Sequence, residues 1–252
     1  MQGGKVERWK VFSEIPMKTW RRLGVNKVKA PAEIVEEFME VADGETKKFS
    51  EINLSEVPVA KKIKIVVGKS GRMELTAVDL GKADYSAEIE IELAGDDSSA
   101  DLQAAYFGDG KRNLDFNYII RHKGKRTDAV MNVRGALNQN CNKIFRGTLD
   151  FQKGCKESVG RELEEVIILS DGTRNRSVPL MLSGEDDVDG HHAVSVGRLD
   201  EEKIFYLMSR GLDKAESEKL IIRAAFNPVI EKIEDENIKA EIENRIEERL
   251  KK

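Results

Sequence analysis

Two kinds of apolar periodicity divide the chain and predict strands in its middle and helices at its C-terminal end. From Lys62 onward, apolar and polar residues alternate, which is the period of strands that bury one face. Turns rich in Gly and Asp divide this region into roughly ten strands spaced about 11 to 15 residues apart. No helical pattern of similar quality lies between Pro58 and Arg198. The alternation is clearest at Ile63 and Ile65; at Tyr85, Ala87, Ile89, Ile91 and Leu93; at Leu114, Phe116, Tyr118 and Ile120; and at Val178, Leu180 and Leu182.

After Arg198 the period changes to that of amphipathic helices. Asp200 precedes an acidic turn and is predicted to cap a first helix, which Gly211 ends. Asp213 and Glu216 form a capping-box-like start of a second helix, predicted to close at Asn227-Pro228. A third helix is predicted from apolar residues at every fourth position, namely Ile238, Ile242, Ile246 and Leu250.

The N-terminal region is predicted to be helical. Pro31 is predicted to open a helix, and the period changes at Pro58. The chain is therefore divided into an N-terminal helical segment (1–57), a strand-rich core (58–197) and a C-terminal helical subdomain (198–252). The apolar anchors of the N-terminal segment are Trp9, Phe12, Ile15 and Trp20, and those of its helix are Ile34, Val35, Phe38 and Val41.

The strand pattern leaves three architectures open. Many short, evenly spaced strands fold as a sandwich, a barrel or a β-solenoid. Two-residue Asn-Gly and Asp-Gly hairpin turns are scarce, which favours the solenoid. A repeat of fixed period would favour it further, but the sequence has none.

Composition and charge exclude several classes of protein. The 252 residues have a formal net charge of −4 and no long basic run, so nucleic acid is not an expected partner. The one basic cluster, at 18–22, is equally explained as a solvated helix face. No apolar run is long enough to span a bilayer, and the N-terminus lacks a signal-peptide core. With two cysteines, a reduced cytoplasmic setting is expected.

Three segments carry a family resemblance. GHHAVSVGRLDEEKIFYLMSRGLDKAESEKLIIRAAFNPVI (190–230) resembles the C-terminal signature of the SufB/SufD family of iron–sulfur cluster assembly proteins. IFRGTLDF (144–151) resembles the aromatic-Arg-Gly motif of that family, and EEVIILSDGTRNRSVPLML (164–182) resembles its following strands. The resemblance covers about Arg134 to Ile230. It implies a right-handed parallel β-helix from Pro58 to Gly197, followed by a helical subdomain.

The resemblance also implies partners. Family members pair through their β-helices, as homodimers or with a paralogue, and bind the ABC-type ATPase SufC through their C-terminal helices. This chain has no GxxxxGK[ST] loop, so ATP binding and hydrolysis are expected in the partner and the chain is expected to be a non-catalytic scaffold. The residues assigned to ATPase docking are Phe205, Tyr206, Met208, Arg210, Gly211, Leu220 and Phe226.

One histidine is the main candidate for cluster chemistry. His192 aligns with the family histidine implicated in cluster assembly, and neutral imidazole suits iron. His191 points to the opposite face of an extended segment. The resemblance places the sulfur-accepting cysteine of SufB at a position near Glu164 of this chain, which has no cysteine there. Ala193 stands where SufB has a glutamate. The chain is therefore SufD-like at both positions. Glu164 and Glu165 are either oxygen ligands or a solvated charged pair.

The remaining candidates are Cys141, Cys155 and His122. The cysteines lie fourteen residues apart, close to one expected coil, so stacking on adjacent coils would let them hold iron or a transient persulfide. The competing interpretation is a pair of buried structural thiols. His122, between Arg121 and Lys123, is predicted at the surface.

Three functions remain open. The first is a scaffold for a transient iron–sulfur cluster, and the second is a purely structural SufD-like subunit that binds the ATPase but no metal. The third is a β-helix polysaccharide lyase or hydrolase, which predicts reactive side chains stacked on one solenoid face and usually a secretory signal.

Overall fold

The structure is a computed structural model that describes residues 10–16 and 21–250. Its described residues form a pair of antiparallel strands, two six-stranded parallel sheets and three α-helices. The strands are β1 Lys10–Glu14, β2 Lys27–Ala30, β3 Ile34–Val41, β4 Thr46–Asn53, β5 Val59–Val67, β6 Arg72–Asp79, β7 Tyr85–Leu93, β8 Ser99–Gly108, β9 Asn113–His122, β10 Asp128–Leu137, β11 Asn142–Phe151, β12 Ser158–Ile168, β13 Arg174–Ser183 and β14 Val188–Arg198. The helices are α1 Glu201–Ser209, α2 Lys214–Ile230 and α3 Glu236–Leu250.

The chain winds as a parallel β-solenoid, which confirms the predicted fold class. Odd-numbered strands from β3 to β13 form one sheet and even-numbered strands from β4 to β14 form the other, so each coil contributes one strand to each sheet. The coil lengthens from about 26 residues between Val59 and Tyr85 to about 32 between Asn142 and Arg174. This drift explains why the sequence shows no fixed repeat.

The interior of the solenoid is built from columns of side chains that repeat from coil to coil. Ile65, Ile91, Ile120 and Leu149 are aligned on successive strands, and all are fully buried. Neighbouring strands lie about 4.8 Å apart, so each apolar residue stacks directly on its equivalent in the next coil. The predicted period of two therefore corresponds to the interior face.

The helix predicted after Pro31 is wrong. Residues Ile34–Val41 form β3, which pairs in parallel with β5, so the solenoid begins before Pro58. The spacing of Val35, Phe38 and Val41 suits a helix, but pairing with β5 overrides this local preference. Among the described residues before Pro58, the one helical piece is the 3₁₀ turn Arg21–Leu23. Trp9, Trp20 and most of the basic cluster lie outside the described residues.

The N-terminal residues instead cross the outside of the odd-numbered sheet. Ile15 and Val25 pack there against Ile144, Val178 and Leu180. The alternation at Val178 and Leu180 thus correctly predicted a strand with a buried face. That face is the outer one, because the two residues align with the outward-facing Arg146 and Thr148 of β11.

The C-terminal helices follow the predicted capping signals, with one exception. Asp200 accepts hydrogen bonds at the start of α1, and Asp213 and Glu216 form a capping box on α2. However, α2 does not close at Asn227-Pro228 but continues through Pro228 to Ile230. Packing of the next two residues explains this, since Val229 and Ile230 are buried.

Helices α2 and α3 cover the outer face of the even-numbered sheet. Ile222 and Phe226 of α2 join Phe107 and Ala136 of the sheet in one apolar cluster. Arg249 of α3 donates to the Phe107 and Leu80 carbonyls at 2.8 and 2.7 Å, which ties the helix to the solenoid corner. None of the described helices has the length and hydropathy needed to cross a membrane.

Candidate functional site

The last two coils of the solenoid have charged side chains in their interior. On strand β12, Glu162 and Glu164 face inward, because alternate residues of a strand share one face and both alternate with the buried Val166. On strand β11, Lys143 faces inward for the same reason, because it lies two positions before the buried Phe145. This charged interior is the candidate site.

Lys143 and Glu164 form a fully buried ion pair. The Lys143 Nζ lies 2.5 Å from Glu164 Oε1, and the side chains of both residues are fully shielded from solvent. Tyr106 donates a hydrogen bond of 3.0 Å to the same carboxylate oxygen, and Ser177 lies 3.1 Å from the ammonium. Burial lowers the pKa of Lys143, and the charge of Glu164 opposes that change.

Glu162 is buried without a hydrogen-bond partner. Both of its carboxylate oxygens lack a donor among the described residues. Burial, and then the negative charge of Glu164, raise the pKa of Glu162 to about 8. At neutral pH this carboxyl group is therefore mostly protonated.

Two glycines make room for these side chains. A methyl group at Gly135 would overlap the Tyr106 ring, and one at Gly147 would overlap the Glu162 carboxyl group. Gly147 belongs to the IFRGTLDF segment. In the same segment, Arg146 points outward and donates to Asp115 at 2.5 Å and to the Lys27 carbonyl at 2.9 Å. The Arg-Gly pair thus anchors the N-terminal segment outside and admits Glu162 inside.

His192 lies at the open end of this interior. It aligns with Glu162 in the neighbouring strand, so the two side chains belong to the same column. In the part of the chain that the structure describes, β12 is the one strand paired with β14, and His192 is exposed. His191 belongs to the opposite face and lies 2.8 Å from Asp189. The structure therefore brings His192 next to one buried carboxyl group, and Glu164 lies in the adjacent column.

The interpretation of Glu164 and Glu165 as a solvated pair is wrong for Glu164. Glu164 faces the interior and is paired with Lys143, whereas Glu165 faces outward, half exposed, 3.6 Å from Arg134. Alternation along β12 separates the two residues onto opposite faces. Alternation read along the sequence from Val166 and from Phe145 would also have predicted that Glu162 and Lys143 face inward. These two residues were not among the predicted site residues.

Cys141 and Cys155 do not stack on adjacent coils, so the condition for shared ligation is not met. Fourteen residues are about half a coil, and the two cysteines flank opposite ends of β11. A ten-residue strand spans roughly 33 Å, so the thiols cannot share a ligand. Both are fully buried, and burial raises the pKa of Cys155 and raises that of Cys141 to about 12. This environment is that of structural thiols.

His122 is an interior residue and not the predicted surface residue. Its ring is fully buried, stacks on Phe151 at 4.5 Å and lies 2.7 Å from the Thr127 hydroxyl through Nδ1. Burial lowers the pKa of His122 to about 4, so the ring is neutral. His122 lies on the inward-facing side of β9, but its charged sequence neighbours Arg121 and Lys123 favoured the prediction of a surface position.

Most of the residues assigned to ATPase docking lie on an exposed surface. Phe205, Tyr206, Met208 and Leu220 are 75%, 56%, 45% and 47% exposed. Arg210 stacks over the Tyr206 ring at 5.2 Å, and Gly211 is exposed beside it. Phe226 does not belong to this surface, because it is buried between α2 and the sheet.

The fold is thus a parallel β-solenoid with a charged end and a helical extension along one sheet. Residues 41–225 match the SufBD core domain of the SUF system of FeS cluster assembly. The chain therefore belongs to the SufB/SufD family. This match leaves the alternative of a polysaccharide lyase or hydrolase without support.

Curated relatives agree with this assignment. The chain is 30% identical over 184 residues to the iron–sulfur cluster assembly protein SufD of Bacillus subtilis, covering 73% of this chain and 42% of that protein. It is 26% identical over 192 residues to a SufBD family protein of Mycobacterium tuberculosis, covering 73% and 48%. Escherichia coli SufD is 29% identical over 107 residues, covering 42% and 25%. The chain spans less than half the length of these relatives.

Proposed function

We propose that this chain is a non-catalytic scaffold subunit of a SUF-type iron–sulfur cluster assembly complex. Family membership supports the assembly role. A SufC-like ABC ATPase docks on α1 and the start of α2 and carries out ATP binding and hydrolysis. The observation that carries this docking is the exposure of four large apolar side chains on α1 and α2, namely Phe205, Tyr206, Met208 and Leu220. Phe205 and Met208 line one depression together, and grouped exposed apolar side chains are typical of interaction sites.

Copurification tests the docking surface. The chain is co-expressed with the SufC-like ATPase of the same organism, and the affinity is measured for the wild type and for Phe205→Asp. We expect binding to weaken by at least about tenfold, because a charge replaces an apolar anchor. Phe38→Asp is the matched control, since Phe38 is 59% exposed on β3. Equal affinity of the two variants would exclude α1 as the docking site.

The end of the solenoid at β13 and β14 is the proposed pairing surface. Each of these strands is paired on one side only, so unpaired backbone groups face the next molecule. Val194 and Val196 of β14 are 38% and 49% exposed. A second copy or a SufB/SufD paralogue covers this end.

The two ends of the solenoid provide a matched pair of variants for this proposal. Val196 on β14 and Val35 on β3 are 49% and 48% exposed, and both strands are edge strands. Light scattering after size exclusion, with and without the paralogue, should show loss of pairing for Val196→Lys and not for Val35→Lys. Pairing lost only in Val35→Lys would assign the interface to the opposite end.

We also propose that a transient iron–sulfur cluster binds at the β13–β14 end of the solenoid, with His192 as a ligand from this chain. Imidazole suits iron, and His192 is exposed where a partner would contribute further ligands. Among the described residues, no group of three or more His, Cys, Asp or Glu side chains is arranged to hold a metal ion. We assign the remaining ligands of the proposed cluster to a second subunit.

The competing function is a purely structural SufD-like subunit. It is favoured by one observation, namely that Glu164 is already paired with Lys143 in the interior. Anaerobic reconstitution of the full complex with iron and sulfide separates the two functions. We expect His192→Ala to lower the iron bound per complex and His191→Ala to leave it unchanged. Iron binding that is insensitive to His192→Ala would support the structural subunit.

A further inference from the structure

We propose that the cleft between α2 and the last coils of the even-numbered sheet binds a small organic carboxylate, with Arg134 as its anchor. The cleft has a volume of about 390 Å³, which suits a small ligand. It lies on the outer face of the sheet, away from Glu162, Glu164 and His192, and does not depend on the proposed function. Its lining includes Arg134, Ser195, Gly197, Ala225 and Phe226.

The cleft exists because small residues face each other across it. Strand β14 presents Ser195 and Gly197, and α2 presents Ala224 and Ala225. A Cβ atom at Gly197 would meet nothing within 4 Å, which shows that α2 does not seal this part of the sheet. Further along the sheet the same helix buries Phe226 against Ala136, so the gap is local.

One nitrogen of the Arg134 guanidinium group lacks a hydrogen-bond partner among the described residues of the cleft. Its Nη1 atom is buried and has no acceptor. Its nearest carboxylate, from Glu165, lies 3.6 Å from Nε and is half exposed. A buried N–H group without an acceptor is destabilising, and a ligand carboxylate that accepts from Nη1 relieves this through charge-assisted hydrogen bonds. The anchor is therefore specific for an anionic group.

The remaining lining defines the rest of the ligand. Arg198 also lines the cleft, but its guanidinium group is paired with Asp171, so Arg134 is the anchor. The Ser195 hydroxyl is a further donor near the anchor. Ile167 and Phe226 form an apolar wall, which suits a short hydrocarbon or aromatic body. These groups together favour a monocarboxylate over a cation, a neutral molecule or an inorganic anion.

Sodium benzoate is the probe for this site, with benzyl alcohol as its neutral counterpart of similar shape. Titration of the full chain, followed by calorimetry and ligand-observed NMR, should give saturable benzoate binding and at least about tenfold weaker binding of benzyl alcohol. Equal affinities would overturn the anionic anchor. Absence of saturable benzoate binding would overturn the proposal altogether.

Three variants locate the binding. Arg134→Met should weaken benzoate binding by at least about tenfold, and Gly197→Leu should abolish it by filling the cleft. Arg161→Met is the matched control, because Arg161 is an exposed arginine on the outer face of β12. If Arg134→Met does not fold, Gly197→Leu still decides the outcome. Benzoate binding that survives the Gly197→Leu change would overturn the assignment to this cleft.

Discussion

The middle coils and the last two coils have the same backbone but different interiors. In the middle coils, Ile65, Ile91 and Ile120 stack in an apolar column that stabilises the solenoid through burial alone. In the last two coils, the corresponding interior contains Lys143 and Glu164. Buried charges are expensive to desolvate, and apolar replacements are often at least as stable. Stability alone therefore does not account for the charges at this end of the solenoid.

Removal of the Lys143 side chain is the change for which we expect the largest loss of stability. The Lys143→Met change leaves Glu164 buried beside the unpaired Glu162, so we expect a loss of about 3–5 kcal/mol in the free energy of unfolding. Chemical denaturation at pH 7 measures it. The double variant Lys143→Met/Glu164→Leu should recover most of the loss, because it removes both charges. A double variant as unstable as the single one would mean that the pair itself stabilises the fold.

The second test uses the pH dependence of Glu162. Its pKa is raised from 4.5 to about 8, so its contribution to stability is fully present below pH 4.5 and is lost as pH rises through about 8. The magnitude is about 1.4 kcal/mol for each unit of pKa difference. In Glu162→Gln this decline should disappear, as measured by urea denaturation from pH 5 to pH 9. The control is Glu165→Gln, on the outer face of the same strand, which should keep the wild-type profile.

The third test concerns the space beside the ion pair. Gly135→Ala pushes the Tyr106 ring from its position against Glu164, so we expect a loss of about 1–3 kcal/mol. Thermal and chemical unfolding measure it. Gly197→Ala is the control, since its added methyl group meets nothing within 4 Å. Similar losses for both variants would indicate a backbone effect in place of a steric one.

The smallest effect is expected in the apolar column. Ile91→Val removes one buried methylene group, so we expect a loss of about 1 kcal/mol that is the same at pH 5 and pH 9. The measurement is the same urea series used for Glu162. A loss that changes with pH would show that the charged end is coupled to the middle coils and would weaken the contrast.

Much of the fold was predictable because local signals and tertiary structure agree. The period of two in β5, β7 and β9 corresponds to the interior columns, and the capping residues Asp200 and Asp213 start the helices where predicted. The prediction failed at β3, whose apolar spacing fits a helix until β5 is available for pairing. It also placed the end of α2 too early, because burial of Val229 and Ile230 outweighs the effect of Pro228.

The candidate site was less predictable because it depends on distances across coils. The sequence placed His192 correctly on the opposite face from His191, since alternation within one strand is a local property. It could not pair Lys143 with Glu164, because that contact requires two sheets to face each other. It also gave too short a coil for the spacing of Cys141 and Cys155, because the true coil length of about 26 to 32 residues is set by strand pairing.

By itself, the sequence determined the strand-rich core, the three C-terminal helices and the family, because periodicity, capping and motifs are properties of neighbouring residues. Only the tertiary structure decided where the solenoid begins, how long a coil is and which charges meet. It also decided that Phe226 is buried while Phe205 is exposed. Those outcomes depend on contacts between residues far apart in the chain, whose burial and electrostatic energies no local pattern contains.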